Sequence, residues 1–183
     1  MNHMAKKVLI ISSSLRAGSN SELLARECEK GAKAAGHEVE FISLKGREIK
    51  FCVGCLSCQK TGSCVLKDDV PGIMARVKAA EVIVFATPIY YYEMSGQLKT
   101  LLDRLNPLYA ADYAFREIYM IATAAEDGET TFDKAYSGLQ GWVDCFEKAG
   151  LKGIVASGGI DAAHAAISHD DVMKKAYCLG LEL

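Results

Sequence analysis

The chain has no long apolar run, no surplus of charge of either sign and no nucleotide-loop signature, and each absence removes a class of protein. No hydrophobic stretch approaches the roughly 20 residues needed to span a bilayer, and no secretory pattern opens the sequence. The expectation is therefore a cytoplasmic protein with no membrane contact. A formal net charge of −2, with Lys and Arg scattered along the 183 residues, gives no basic field for nucleic acid. Neither GxGxxG nor GxxxxGK[ST] occurs, so a dinucleotide fingerprint and a P-loop lysine are both missing. There is no internal repeat, no linker and no Ser/His/Asp arrangement.

With half its residues hydrophobic and 24% charged, the chain is neither disordered nor fibrous, and it is long enough to bury a core without staples. Met1, Asn2 and His3 stand ahead of a second methionine, Met4, and read as an expression remnant. One domain over residues 5–183 is expected, interrupted by a cysteine-rich loop at residues 45–67.

The stretch KVLIISSSLRAGSNSELLA, from Lys7 to Ala25, organises the rest. Val8 to Ile11 form an unbroken apolar run that suits a strand buried on both faces. Ser12, Ser13 and Ser14 end it, Gly18 permits a tight turn, and Ser19 or Asn20 can cap a helix beginning near Ser21. Backbone N–H groups at that helix start, with the hydroxyls of Ser19 and Ser21, the amide of Asn20 and the charge of Arg16, make an anion site suited to a terminal monophosphate. An ordinary capped turn fits the same residues.

Further strands are expected over Glu38 to Ser43, Glu81 to Thr87 with Pro88 ending it, Phe115 to Thr123, and Gly153 to Ser157. Helices fill the intervals, including a long one from about Thr131 to Ala149 closed by Gly150, and a last one from Asp170 to Leu181. Alternating strands and helices imply a three-layer α/β sandwich around a five-stranded parallel sheet, in the flavodoxin-like order 2-1-3-4-5. Ligands bind such sheets beyond the carboxyl ends of the strands, where the loops Ser12 to Ser21, Thr87 to Gly96 and Thr123 to Gly128 would gather.

Seven cysteines without a secretion signal point to thiols or metal ligands rather than disulfides. Cys52, Cys55 and Cys58 follow one another as CxxCxxC, and Cys64 comes soon after. Gaps of two residues let successive thiolates reach the corners of one small object, as in ferredoxin-type [4Fe–4S] chains. Zinc would also accept four thiolates, and a CxxC pair can be redox-active in its own right. Cys28, Cys145 and Cys178 fall on predicted helices and read as buried small hydrophobes, while Asp68 and Asp69 read as helix-start charges.

SSSLRAGSNS after the first strand, TPIYYYEMSGQLKTLLDR after the third and CVGCLSCQKTGSCVLKDDV between them resemble the NADPH-dependent FMN reductase superfamily, closest to its iron-sulfur flavoproteins. The resemblance covers Lys7 to about Leu105 and weakens after Tyr109; Ser12 stands where many relatives have glycine. It implies FMN, with the phosphate held by Ser12, Arg16, Ser19, Asn20 and Ser21. It also implies a flavin ring against Pro88, Ile89, Tyr90 and Tyr91, with Ser95, Gly96 and Lys99 nearby, and a metal set of Cys52, Cys55, Cys58 and Cys64. Thr123 and Ala124 join the ring site by loop position.

The expected function is an FMN-dependent oxidoreductase moving electrons through FMN and a [4Fe–4S] cluster, with NAD(P)H or a small redox protein such as ferredoxin as donor. Oligomerisation, as a dimer or tetramer, follows from the same resemblance. A non-catalytic electron carrier between protein partners is the alternative, and a thiolate-metal module without flavin is a third reading.

Overall fold

The computed structural model describes residues 4–183; the reading of Met1, Asn2 and His3 as a remnant falls outside them. Strand β1 (Lys7–Ser12) is the centre, pairing in parallel with β2 (Glu38–Ser43) on one side and with β3 (Val82–Tyr90) on the other. Strand β5 (Glu117–Thr123) continues the sheet beside β3, and β6 (Gly150–Ser157) closes it.

Side chains alternate across the sheet, and that alternation sorts the core into two layers. Val8 and Ile10 of β1 pack with helices α1 (Asn20–Ala34) and α6 (Asp170–Glu182). Leu9 and Ile11 face α3 (Val70–Ala79), α4 (Gly96–Arg104) and α5 (Asp133–Val143). Helices α1 and α6 meet through glycine: a Cβ on Gly180 would stand 2.1 Å from the Cys28 carbonyl oxygen, so no larger residue fits without moving a helix.

The parallel sheet with flanking helices agrees with the sequence expectation, but the count of five strands and the order 2-1-3-4-5 do not. A sixth strand, β4 (Glu93–Met94), runs antiparallel to the end of β3, so the order reads β2-β1-β3-β5-β6 with β4 off that path. Pro88 also fails to end β3. Pairing with β1 stops at Ala86, so beyond that point one side of β3 is an edge and a missing N–H costs no ladder bond there. The chain reverses at Tyr91 and Tyr92, both with positive φ, 51° and 67°, the backbone of a two-residue hairpin turn usually built from Asn and Gly.

Two helices also differ from expectation. The cysteine loop contains a short helix, α2 (Ser57–Thr61), which cysteine spacing alone does not announce. Helix α5 stops at Val143, where bonds from Cys145 N to Trp142 O and from Phe146 N to Val143 O tighten the last turn. That turn swings Phe146 into an aromatic cluster with Tyr113, Phe115 and Trp142. Gly150 therefore opens a strand instead of closing a helix.

Candidate functional site

The loop after β1 is tied down from three directions. Ser13 donates its hydroxyl to Ala86 O of β3 (3.0 Å) and accepts one from Ser95 (2.8 Å), while Ser95 caps α4 by accepting from Leu98 N. Ser19 caps α1, accepting from Glu22 N, and its hydroxyl lies 3.1 Å from that of Ser21. From the far side comes the loop after β6: Gly158 packs so closely on Glu126 and Asp127 that a Cβ there would meet backbone at 2.4 Å, and the chain then turns onto the first loop.

Asn20 fastens that last loop. Its Nδ2 donates to Ile160 O (3.3 Å) and Ala162 O (2.9 Å), and its Oδ1 accepts from Ala166 N (3.0 Å), all in buried or half-buried surroundings. Arg16 is exposed and rests one guanidinium nitrogen on Asp161 O at 2.6 Å. His164 lies against Gly18, whose φ of +66° and contact with the imidazole both require a residue without a side chain.

These loops enclose a cleft of about 510 Å³, counting its open mouth, at the carboxyl edge of the sheet. Arg16, Ser19 and Asn20 line one end, and Pro88, Ile89, Tyr90 and Thr123 line the other. With Ala124, which also lines it, eight site residues expected from the sequence are thus brought together in one place. Ser12 and Ser21 are wholly buried beneath it, Ser95 is buried as a cap, and Tyr91 stands 98% exposed at the hairpin tip. Gly96 opens instead on a neighbouring hollow beside Leu15 and Phe51. Ser14, Ala125, Ile160 and Asp161 also line the cleft. The Gly158-Gly159 pair, a turn signal straight after β6, was the one hint of the last two.

The donor set fits a phosphorylated flat ring: hydroxyls and a helix N-terminus at one end, apolar proline and isoleucine with a tyrosine at the other. Tyr92, beside the cleft, donates to Glu126 at 2.7 Å, and that hydrogen bond followed by the carboxylate's charge raises its pKa.

The four loop cysteines all line a second hollow of about 400 Å³, counting its mouth. Cys52 and Cys55 are exposed, and Cys58 and Cys64 partly buried. Among the described residues no three Cys, His, Asp or Glu side chains converge closely enough to form a ready ligand set. Left-handed turns at Gly54 and Leu56 wrap the chain around the hollow. The hydroxyl of Ser57, hydrogen-bonded to Cys55, is the largest influence lowering that thiol's pKa. Four thiols on one apolar hollow suit a soft metal centre once the loop draws them together. The other cysteines divide: Cys28 is buried, its thiol pushed up to about 12 by desolvation first and by Glu29 second. Cys145 is exposed and Cys178 half-buried, which corrects their reading as core residues.

Asp68, read from the sequence as a helix-start charge, does accept from Val70 N at the start of α3, but its main partner is remote. Arg104, at the end of α4, meets it through Nη1 at 2.6 Å and Nη2 at 3.1 Å, with neither side chain reaching solvent. Burial alone would push each towards its neutral form. The mutual hydrogen bonds and charge outweigh it, holding the Asp68 carboxyl below the usual range and the Arg104 guanidinium above it.

A parallel sheet with helices on both faces and a cleft at the carboxyl ends of β1, β3 and β5 define a flavodoxin-like α/β protein. Residues 6–133 match the family described as NADPH-dependent FMN reductase, and the chain belongs to it. It is 42% identical over 102 residues to an iron-sulfur flavoprotein of Methanocaldococcus jannaschii, covering 56% of this chain and 53% of that protein. An iron-sulfur flavoprotein of Archaeoglobus fulgidus is 39% identical over 95 residues, covering 52% and 45%. The matched part thus spans about half the length of these curated relatives. An NAD(P)H:quinone oxidoreductase from Methanothermobacter marburgensis superposes with a TM-score of 0.78 at 17% identity, covering 98% of this chain and 96% of that one. That likeness is one of fold. Among the described residues no helix is long and apolar enough to cross a membrane.

Proposed function

We propose that the protein is an FMN-dependent oxidoreductase in which residues 5–183 form one FMN-binding domain and residues 45–67 a redox loop. One observation carries the reading: a single cleft joins hydroxyls at the start of α1 to the apolar Pro88–Tyr90 wall. Family membership supports it. FMN, when bound, supplies the chemistry, since it accepts electrons in pairs and releases them singly.

The chain's residues bind and orient. The N–H groups opening α1, the hydroxyl of Ser19 and the free N–H groups of Arg16 meet the phosphate. Pro88, Ile89 and Tyr90 wall the ring, and Thr123 closes its far side. Asn20 contributes its backbone N–H and holds the loop at residues 160–166 in place, because its side-chain amide is already spent. Cys52, Cys55, Cys58 and Cys64 would hold a [4Fe–4S] cluster, a reading supported by their shared hollow and by relatives named iron-sulfur flavoproteins. NAD(P)H or a small redox protein such as ferredoxin is the donor, and the protein works as a cytoplasmic homo-oligomer.

Anaerobically purified protein, titrated with FMN and riboflavin and then mixed with NADPH, NADH or reduced ferredoxin, tests the reading. Tight FMN binding and rapid bleaching by a nicotinamide are expected. Failure to bind FMN would overturn it, and reduction by ferredoxin alone would favour a carrier over an enzyme. Metal analysis separates iron from zinc in the cysteine loop.

A further inference from the structure

Among the described residues Arg104 is the largest fully buried side chain, and it lies where a charge is expensive. Its Nη1 is shared between Asp68 Oδ2 and Lys50 O (2.7 Å), and its Nη2 goes to Asp68 Oδ1. The third nitrogen, Nε, is buried with no hydrogen-bond partner among the described residues. A buried arginine N–H without an acceptor is costly, and such groups call for an explanation.

The surroundings supply one. Arg104 lines the same hollow as Cys52, Cys55, Cys58 and Cys64, and Cys64 is close enough to act on the guanidinium. Two residues further on, Asn106 donates from Nδ2 to the Cys58 sulfur at 3.0 Å. The end of α4 and the turn after it therefore bring two side-chain N–H donors to the lining of the cysteine hollow, one engaged with sulfur and one buried without a partner among the described residues. Asp68 keeps the fork from turning away, and the Lys50 carbonyl ties it to the start of the cysteine loop.

We infer that Arg104, clamped by Asp68, is a positioning residue for the centre held by the four cysteines, its free N–H and its charge stabilising the extra electron there. This rests on reading the loop as the holder of a [4Fe–4S] cluster. Hydrogen bonds to sulfur and nearby charge are the means by which a protein sets such a centre's potential. A fixed positive charge makes reduction easier. Removing it makes reduction harder, while removing the compensating Asp68 charge does the reverse.

Wild-type protein, Arg104→Gln, Arg104→Lys and Asp68→Asn, each reconstituted anaerobically with iron and sulfide, should be compared for iron per chain and for midpoint potential followed by electron spin resonance. Arg104→Gln should lower the reduced-to-oxidised ratio at fixed potential about tenfold, or ~59 mV for a one-electron couple. Asp68→Asn should move it the opposite way, and Arg104→Lys should stay nearer wild type. A purely structural role would change iron content without opposed shifts in potential. Equal potentials in all variants, or shifts of the same sign, would overturn the inference. If Arg104→Gln does not fold, the lysine and Asp68→Asn variants decide it by the same criteria. Should wild type take up no iron, the cluster reading fails separately. Arg104 is then judged with cobalt(II): at least tenfold weaker binding in Arg104→Gln upholds its role, and equal binding removes it.

Discussion

The Ser95 hydroxyl donates to Ser13 Oγ at 2.8 Å in a fully buried contact, so the loop after β1 and the N-terminus of α4 move as one piece. Because Ser95 also accepts from Leu98 N, one oxygen both caps a helix and fastens the cleft. Ser95→Ala loses both bonds while leaving Ser13 its own acceptor, Ala86 O. The expected cost is about 1–2 kcal/mol in stability, with weaker FMN binding alongside. Thermal melts and flavin titration of the variant check this. An unchanged melt would mean the cap is dispensable.

Asp68 and Arg104 give the protein an acid-sensitive joint. The Asp68 carboxyl lies below its ordinary 3.8 because the Arg104 hydrogen bond, the N–H groups of Lys50 and Val70 and the Arg104 charge together outweigh burial. A depressed native value means that the stability is fully present above the unfolded value and disappears as pH falls through the native one. Acid titration of wild type should therefore show a loss of stability below about pH 4 that Asp68→Asn lacks. At neutral pH the alanine variant leaves an uncompensated buried guanidinium and should cost roughly 3–5 kcal/mol. Denaturant melts at two pH values measure both effects.

Periodicity and turn chemistry made the parallel sheet legible, because Val8–Ile11 and Val82–Ala86 are apolar runs that only a doubly covered strand buries. The grouping of the four loop cysteines on one hollow was legible from their spacing, but the short helix α2 inside that loop was not. The hairpin at Tyr91–Tyr92 was not, since its turn uses two bulky residues in a conformation that local sequence rules assign to Asn and Gly. The pairing of Asp68 with Arg104 spans 36 residues and leaves no local signature. Asn20 was legible as part of the loop that lines the cleft, but its grip on residues 160–166, contributed by the far end of the chain, was not.

That grip can be measured. Asn20→Ala strands two carbonyls and one N–H in buried or half-buried surroundings and should destabilise by about 1–3 kcal/mol. Asn20→Asp should be worse despite its similar shape. It keeps the acceptor for Ala166 N but sets a carboxylate against the Ile160 and Ala162 carbonyls. Hydrogen exchange at residues 160–166 should rise in both variants. If the alanine variant proves the less stable of the two, the amide is not acting as a donor.

Arg16 separates phosphate recognition from loop architecture. One nitrogen rests on Asp161 O at 2.6 Å, which orients the guanidinium; its other N–H groups have no partner among the described residues and can meet an anion. A charge-assisted bond to phosphate is worth on the order of 1.5–3 kcal/mol, about 10- to 150-fold in affinity. Arg16→Ala should therefore weaken FMN by that factor and leave riboflavin, which has no phosphate, nearly unchanged. Arg16→Lys should recover part of the charge but not the fork, giving an intermediate loss that shrinks as salt is raised. Titration of the three proteins with both flavins gives the coupling directly. An equal loss for FMN and riboflavin would show that Arg16 acts only by steadying residue 161, and the phosphate assignment would then rest on the start of α1 alone.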